Sequence, residues 1–221
     1  IGGRFIYARA NSHQFYWSAV FDGRTISGSG FASAESAPDH LRDVVAIGDL
    51  LYLLGAETVE THQLTTSDTL PFTRISQRTF RKGVISTGCA IEMDNALHWI
   101  DTDFIVNRMS EVPQRISHHG MEERIGESSS WSCFTFKFEG HSFLAVRLSQ
   151  GTWLHDTSVP GEWPEFQTYD QSNWIARCAV TVEGVPQFGS ALSGKIYHFS
   201  GELDDGAVVE SRFTAAFGIK G

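Results

Sequence analysis

The chain has 221 residues and a net charge of −9, from 26 Asp and Glu against 17 Lys and Arg. That balance repels phosphate backbones and anionic lipid, which disfavours a free-standing nucleic-acid or membrane-surface module. The length allows one large all-β domain or two small ones, and no apolar run reaches membrane-spanning length.

A turn-forming dipeptide opens the chain and then returns. Gly2-Gly3, Gly48-Asp49, Asp94-Asn95 and Gly140-His141 follow one another at steps of 46 residues, and Ser193-Gly194 comes after a further 53. Each precedes an apolar run, at residues 4–8, 50–54, 96–100, 142–146 and 195–199, that reads as a buried strand. Strand-rich repetition at about 40–50 residues is the pattern of propeller blades. Residues 27–38, polar and rich in Gly, Ser and Glu, read as a connecting loop with Gly28-Ser29-Gly30 as its flexible part. Residues 37–42 are a short helix candidate. In the second repeat, residues 43–47 and 50–54 flank the turn. A third strand at 58–62 places Thr58, Glu60 and His62 in alternation, as a strand with one wet face would. The nearest approach to a basic run, Arg78-Thr79-Phe80-Arg81-Lys82, reads as a solvated loop or strand edge.

The third repeat copies the second at 89–93, 97–100 and 104–106, and the fourth follows at 133–138, 142–148 and 152–154. Residues 72–76 and 113–117 hold the place of a fourth, outer strand. Residues 120–125 are the other helix candidate, overlapping a polar connection at 122–130. Leu51, Leu53, Leu97, Trp99, Phe143 and Ala145, or their alternates, are expected to face the core. The 16 Phe, 6 Trp and 21 Gly suit short strands joined by tight turns. The expected fold is all-β: about five β-propeller-like repeats of four-stranded antiparallel meanders, the terminal ones incomplete. Residues 1–221 form a single β-propeller or propeller fragment, either closed and small or an arc of a larger ring. The chain begins without Met and reads as a fragment.

Residues able to carry chemistry have structural readings. Cys89, Cys133 and Cys178 lack metal or redox spacing and read as buried thiols in the first strands of repeats. Asp101-Thr102-Asp103 and Asp204-Asp205-Gly206 sit where turns are expected, where Asp is favoured for its backbone hydrogen bonds. His118-His119 with Glu122 and Glu123 lacks the His-Glu-x-x-His spacing and reads as loop packing. His98, His155 and His198 lie in strands and are expected to hydrogen-bond across blades. Trp99, Trp153 and Trp174 read as strand residues of the core, and Trp163 as the exposed aromatic. No catalytic, cofactor-binding or metal site emerges, and no cofactor is implied.

Seven strings in order then resemble the packaged-DNA stabilisation proteins of short-tailed phages, also called tail hubs or tail accessory factors. They are residues 31–39, 53–60, 70–74, 88–90, 113–119, 140–143 and 152–156. The resemblance implies a non-enzymatic virion protein of the tail, assembled in the bacterial host cytoplasm, from a phage or prophage. It implies a homo-oligomeric ring that closes the portal channel after packaging and forms a platform for further tail components. Its implied partners are the portal or portal-adaptor protein, the tail needle and the tailspikes, with no sequence-specific nucleic acid and no membrane. Residues 27–38 and 122–130 are the expected docking loops. The alternative from another class is a carbohydrate-binding or glycan-hydrolysing β-propeller, which would gather Asp, Glu and Trp in one pocket at the propeller axis.

Overall fold

The computed structural model describes residues 1–34 and 39–200, and the backbone of residues 203–204 and 207–208. The first sheet runs β1 (Ile6–Ala8), β2 (Gln14–Ala19), β3 (Asp22–Ser33). The second runs β4 (Leu41–Ile47), β5 (Leu50–Gly55), β6 (Val59–Leu64), β7 (Phe72–Phe80). The third runs β8 (Ala90–Met93), β9 (Ala96–Ile100), β10 (Val106–Met109), β11 (Pro113–Arg115), and helix α1 (His119–Glu127) follows it. The fourth runs β12 (Trp131–Phe138), β13 (His141–Leu148), β14 (Thr152–Asp156), β15 (Glu165–Phe166). The fifth runs β16 (Ala176–Val182), β17 (Val185–Ser190), β18 (Ile196–His198), and a hairpin of β19 (Leu203–Asp204) and β20 (Ala207–Val208) comes last. Each sheet is an antiparallel meander. Strands β1, β4, β8, β12 and β16 pack side by side in sequence, and among the described residues no contact of similar extent returns from β16 to β1. The fold is an all-β propeller.

The hairpins explain the repeat. Asp94 and Asn95 (φ 51° and 57°), Glu139 and Gly140 (φ 50° and 84°), and Glu183 and Gly184 (φ 50° and 82°) have the paired positive φ of a type I′ turn, whose twist matches the strands. Two sequence assignments therefore move. The equivalent turn in the fifth sheet is Glu183–Gly184, 44 residues after Glu139, while Ser193-Gly194 joins β17 to β18. The run 195–199 is accordingly not a buried middle strand, and Ile196 is 71% exposed. Gly2-Gly3 precedes β1 and joins no two strands.

The middle strands of the second and fourth sheets are apolar on both sides because each of these sheets is covered by two neighbours. In β5, Leu51 and Leu53 enter one core with Phe15, Trp17 and Phe72, while Tyr52 and Leu54 enter another with Leu97 and Trp99. In β13, Leu144 and Val146 face that second core, and Ala145 joins a third with Phe134, Phe136 and Trp174. The same burial removes the wet face expected on β6, where Glu60 and His62 are both buried. Residues 27–33 belong to β3, not to a loop, and Leu41 and Arg42 open β4 instead of ending a helix. Residues 35–38 lie outside the described residues. The third strand of the third sheet starts at Val106, because Phe104 takes a positive φ of 67° in the preceding turn. Arg78 falls at the outer strand of its sheet, as expected.

Side chains pin one sheet to the next. A bulge between Leu41 and Asp43 breaks the alternation of β4, and bulges re-aim side chains. Arg42 Nη1 donates to the Val84 and Ile85 carbonyls at 2.7 Å each. Asp43 Oδ2 accepts from the amides of Gly88, Cys89 and Ala90 at 2.9, 3.1 and 3.1 Å. Arg147 likewise donates to the Trp174 and Ala176 carbonyls. Removing the carboxylate of Asp43 leaves three amides short of a partner at a sheet junction. Asp43→Ala should cost about 3 kcal/mol, as charge-assisted bonds are lost and donors stranded. A urea titration should show a lower midpoint at unchanged slope, and an unmoved midpoint would refute the pin.

Candidate interaction surfaces

The residues that looked chemical are consumed by the fold. Asp101 Oδ1 accepts from the amides of Asp103 and Ile105 at 3.0 and 2.9 Å, and Oδ2 from Asn107 Nδ2 and Lys82 Nζ at 2.8 and 3.1 Å. This is the turn role expected of Asp101-Thr102-Asp103, extended to an ion pair between buried Asp101 and half-buried Lys82. Asp205-Gly206 of the other acidic turn lies outside the described residues. His118 caps α1, its Nδ1 accepting from the Met121 amide at 3.2 Å, and His119 is exposed beside it. Glu122 pairs with Arg115 at 2.7 and 2.6 Å and accepts from Ser117 Oγ at 2.6 Å. Helix α1 thus ties back to the third sheet. It sends Met121 and Ile125 inward and leaves Glu123 and Glu127 exposed. Among the described residues no three His, Cys, Asp or Glu gather as metal ligands, and no helix is long and apolar enough to cross a membrane.

Tryptophans do not line one pocket. Trp17, Trp99, Trp153, Trp163 and Trp174 are buried across three cores. Trp163, expected at the surface, stacks on His155 with ring centroids 4.9 Å apart and donates to the Ile116 carbonyl at 3.3 Å. Trp174 precedes β16 instead of lying in a strand, yet it packs among Phe134, Phe136 and Phe188.

The expected cross-blade histidine bonds are local bonds instead. His98 Nδ1 engages the Ala96 carbonyl of its own strand at 3.2 Å, and His198 Nδ1 engages the neighbouring Phe199 carbonyl. His98 Nε2 and His155 Nδ1 are buried without a hydrogen-bond partner. Burial, with the charge of Arg108 and the adjacent His155, pushes the His98 imidazole down to about 4. Burial also lowers His155, against the pull of the Glu162 carbonyl and Asp156.

Cys89 is buried, but Cys133 is half-buried and Cys178 is exposed, contrary to the expectation of three buried thiols. Residue 178 lies opposite Gly189, which has no side chain to cover it. Hydrogen bonding to Cys89, with burial, pushes the Cys133 thiol well above its usual range.

Exposed surface of two kinds remains. Most residues of β3 from Asp22 to Ser29 are exposed, and β3 is an edge strand whose free backbone groups are able to pair with another chain. Large apolar side chains are exposed on the outer sheets, including Phe5, Phe21 and Ile26 in the first and Val180, Val182 and Ile196 in the fifth.

The sequence matches, over residues 1–204, the phage stabilisation family described as bacteriophage P22 Gp10, beta-propeller. No curated protein matches it. Among solved structures it is similar to the WD40 domain of SCAP from fission yeast, at 13% identity and a TM-score of 0.43. That alignment covers 85% of this chain and 51% of the other, so the chain spans about half the length of that structure.

Two outcomes follow from the histidine and cysteine environments. An unfolded histidine titrates near 6.5 and folded His98 near 4. Its contribution to stability is therefore complete above about pH 6.5 and is lost as pH falls toward 4. At pH 5 the loss is about 2 kcal/mol. His98→Gln should lose less stability than the parent between pH 7 and pH 5, by roughly that amount in urea titrations; an identical loss would rule out His98 as the source. Iodoacetamide should alkylate Cys178 in the native protein and reach Cys89 and Cys133 only after unfolding, as peptide mass mapping would show.

Proposed function

The chain belongs to the family of the bacteriophage P22 Gp10 β-propeller, a family of phage packaged-DNA stabilisation proteins, and on that premise we propose that it closes the portal channel after packaging and presents a platform for further tail components. Residues 1–221 act as one propeller unit in this reading. The unit works through protein contacts within a ring, against the portal or its adaptor on one side and the needle and tailspikes on the other. It catalyses nothing.

The observation that carries this reading is where the polar chemistry goes. Asp43, Asp101, His118 and Glu122 all bond to the fold itself. The buried tryptophans are divided among three cores instead of forming a sugar-stacking platform. A net charge of −9 keeps free subunits apart until an assembly surface orders them. The docking elements are the edge strand β3, which takes the place of the loop read at 27–38, and the exposed side of α1 with the loop that follows to Ser130.

Glu123→Lys with Glu127→Lys reverses charge on exposed helix positions. Each surface change should alter stability by no more than about 0.5 kcal/mol. Placed in the phage gene, the double substitution should yield filled heads that lose DNA and lack this protein by electron microscopy and protein gels. Fully infectious particles that have incorporated the variant normally would remove α1 from the docking surface. Fully infectious particles from a phage lacking the gene would overturn the function itself.

A further inference from the structure

A cleft of about 490 Å³ opens beside the third and fourth sheets. Its lining includes Asp94, Arg108, Arg115, His155 and Thr157, with Ile116 as part of its apolar wall. The charges in it are unequally satisfied. Arg115 is held by both oxygens of Glu122. Asp94 is held by Ser142 at 2.9 Å, Lys137 at 3.0 Å and Thr157 at 3.4 Å. Arg108 is half-buried and has no hydrogen bond or ion pair from its guanidinium among the described residues. Its cross-strand neighbour is His98, a buried ring with an unpartnered nitrogen, and the cleft wall adds His155 with another.

A cation partly removed from water without a counter-charge is costly, and a guanidinium fork is shaped for a planar, two-oxygen anion. We propose that this cleft binds one carboxylate of an acidic peptide segment, clamped by Arg108, with the segment's aliphatic stem against Ile116. The observations favour a carboxylate over a nucleic acid. Strong binding to DNA requires many phosphate contacts, whereas this cleft offers one unpaired fork on a chain of net charge −9. The inference rests on the protein-hub reading only for the source of the carboxylate.

The test uses the purified chain and two probes. Succinate, compared with chloride at equal ionic strength, should raise the thermal midpoint saturably by roughly 3 °C, as expected for a ligand that binds only the folded state. A fluorescein-labelled Glu-Glu-Leu-Glu-Glu peptide should bind by anisotropy and be displaced by succinate. Arg108→Gln, which breaks no existing bond, should keep the parent midpoint in chloride and lose both responses. Arg108→Lys should weaken peptide binding about tenfold, because the charge remains without the fork. Absence of any response beyond chloride, or equal binding by Arg108→Gln, overturns the site. Tighter competition by inorganic phosphate or by a single-stranded oligonucleotide overturns the carboxylate assignment and gives the cleft to phosphate. Neither failure touches tail incorporation, which is read in particles.

Discussion

Each sheet completes its hydrogen-bond ladder within itself, so the propeller depends on whatever fixes one sheet against the next. Apolar packing supplies most of the attraction, at roughly 25 cal/mol per Å², but it is non-directional and tolerates sliding. Direction comes from charged side chains that bond backbone groups of the following sheet. Asp43 meets three successive amides, and Arg42 and Arg147 each meet two carbonyls. These bonds have fixed geometry and lie near the inner strands, where a small rotation would displace the outer strands most. The Asp43 carboxyl is pushed up to about 6 by burial, while the three amides pull the other way. Burial this costly is tolerated at a junction where water would otherwise reach the three amides.

The same demand explains which polar residues are buried. Asp39 accepts from the amides of Glu57 and Thr58 at 2.7 and 3.0 Å, and Asp101 gathers two amides, an asparagine and a lysine. Such carboxylates resemble catalytic groups in sequence and are turn anchors in space. In the cleft beside the third and fourth sheets, Arg108 has no anchor of this kind, which sets it apart from Arg42, Arg115 and Arg147.

Much of the fold was legible because its turns are chemical and local. Asp94-Asn95 and Gly48 announce positive φ, and runs such as Leu50-Leu51-Tyr52-Leu53-Leu54 announce a strand covered on both faces. The fifth repeat was misread because Glu183, an ordinary residue, takes the positive φ there, while Ser193-Gly194 carries stronger turn chemistry at the wrong place. Residues 27–33 look like a loop from composition, yet they lie within β3, whose residues 31–33 pair with β2 across an irregular register. Glu60, His62 and Trp163 were placed in water because their burial is decided by a neighbouring sheet or loop that local periodicity does not encode. The cleft was illegible for a related reason. Arg108 and His98 meet across one strand pair, and His155 arrives from a different sheet 47 residues after Arg108.

Coupling through nearest neighbours also has a dynamic meaning. A row of sheets joined only in sequence behaves as a one-dimensional array, in which each unit draws stability from the one before and the one after. The third sheet has both, with β8 packed between β4 and β12. The first and fifth have one described neighbour each and carry most of the exposed large apolar side chains. Among the described residues, opening therefore costs least where a sheet has one described neighbour and most where it has two, in the manner of fraying. A propeller arranged this way holds a rigid centre while its flanks stay soft enough to be shaped by whatever they meet.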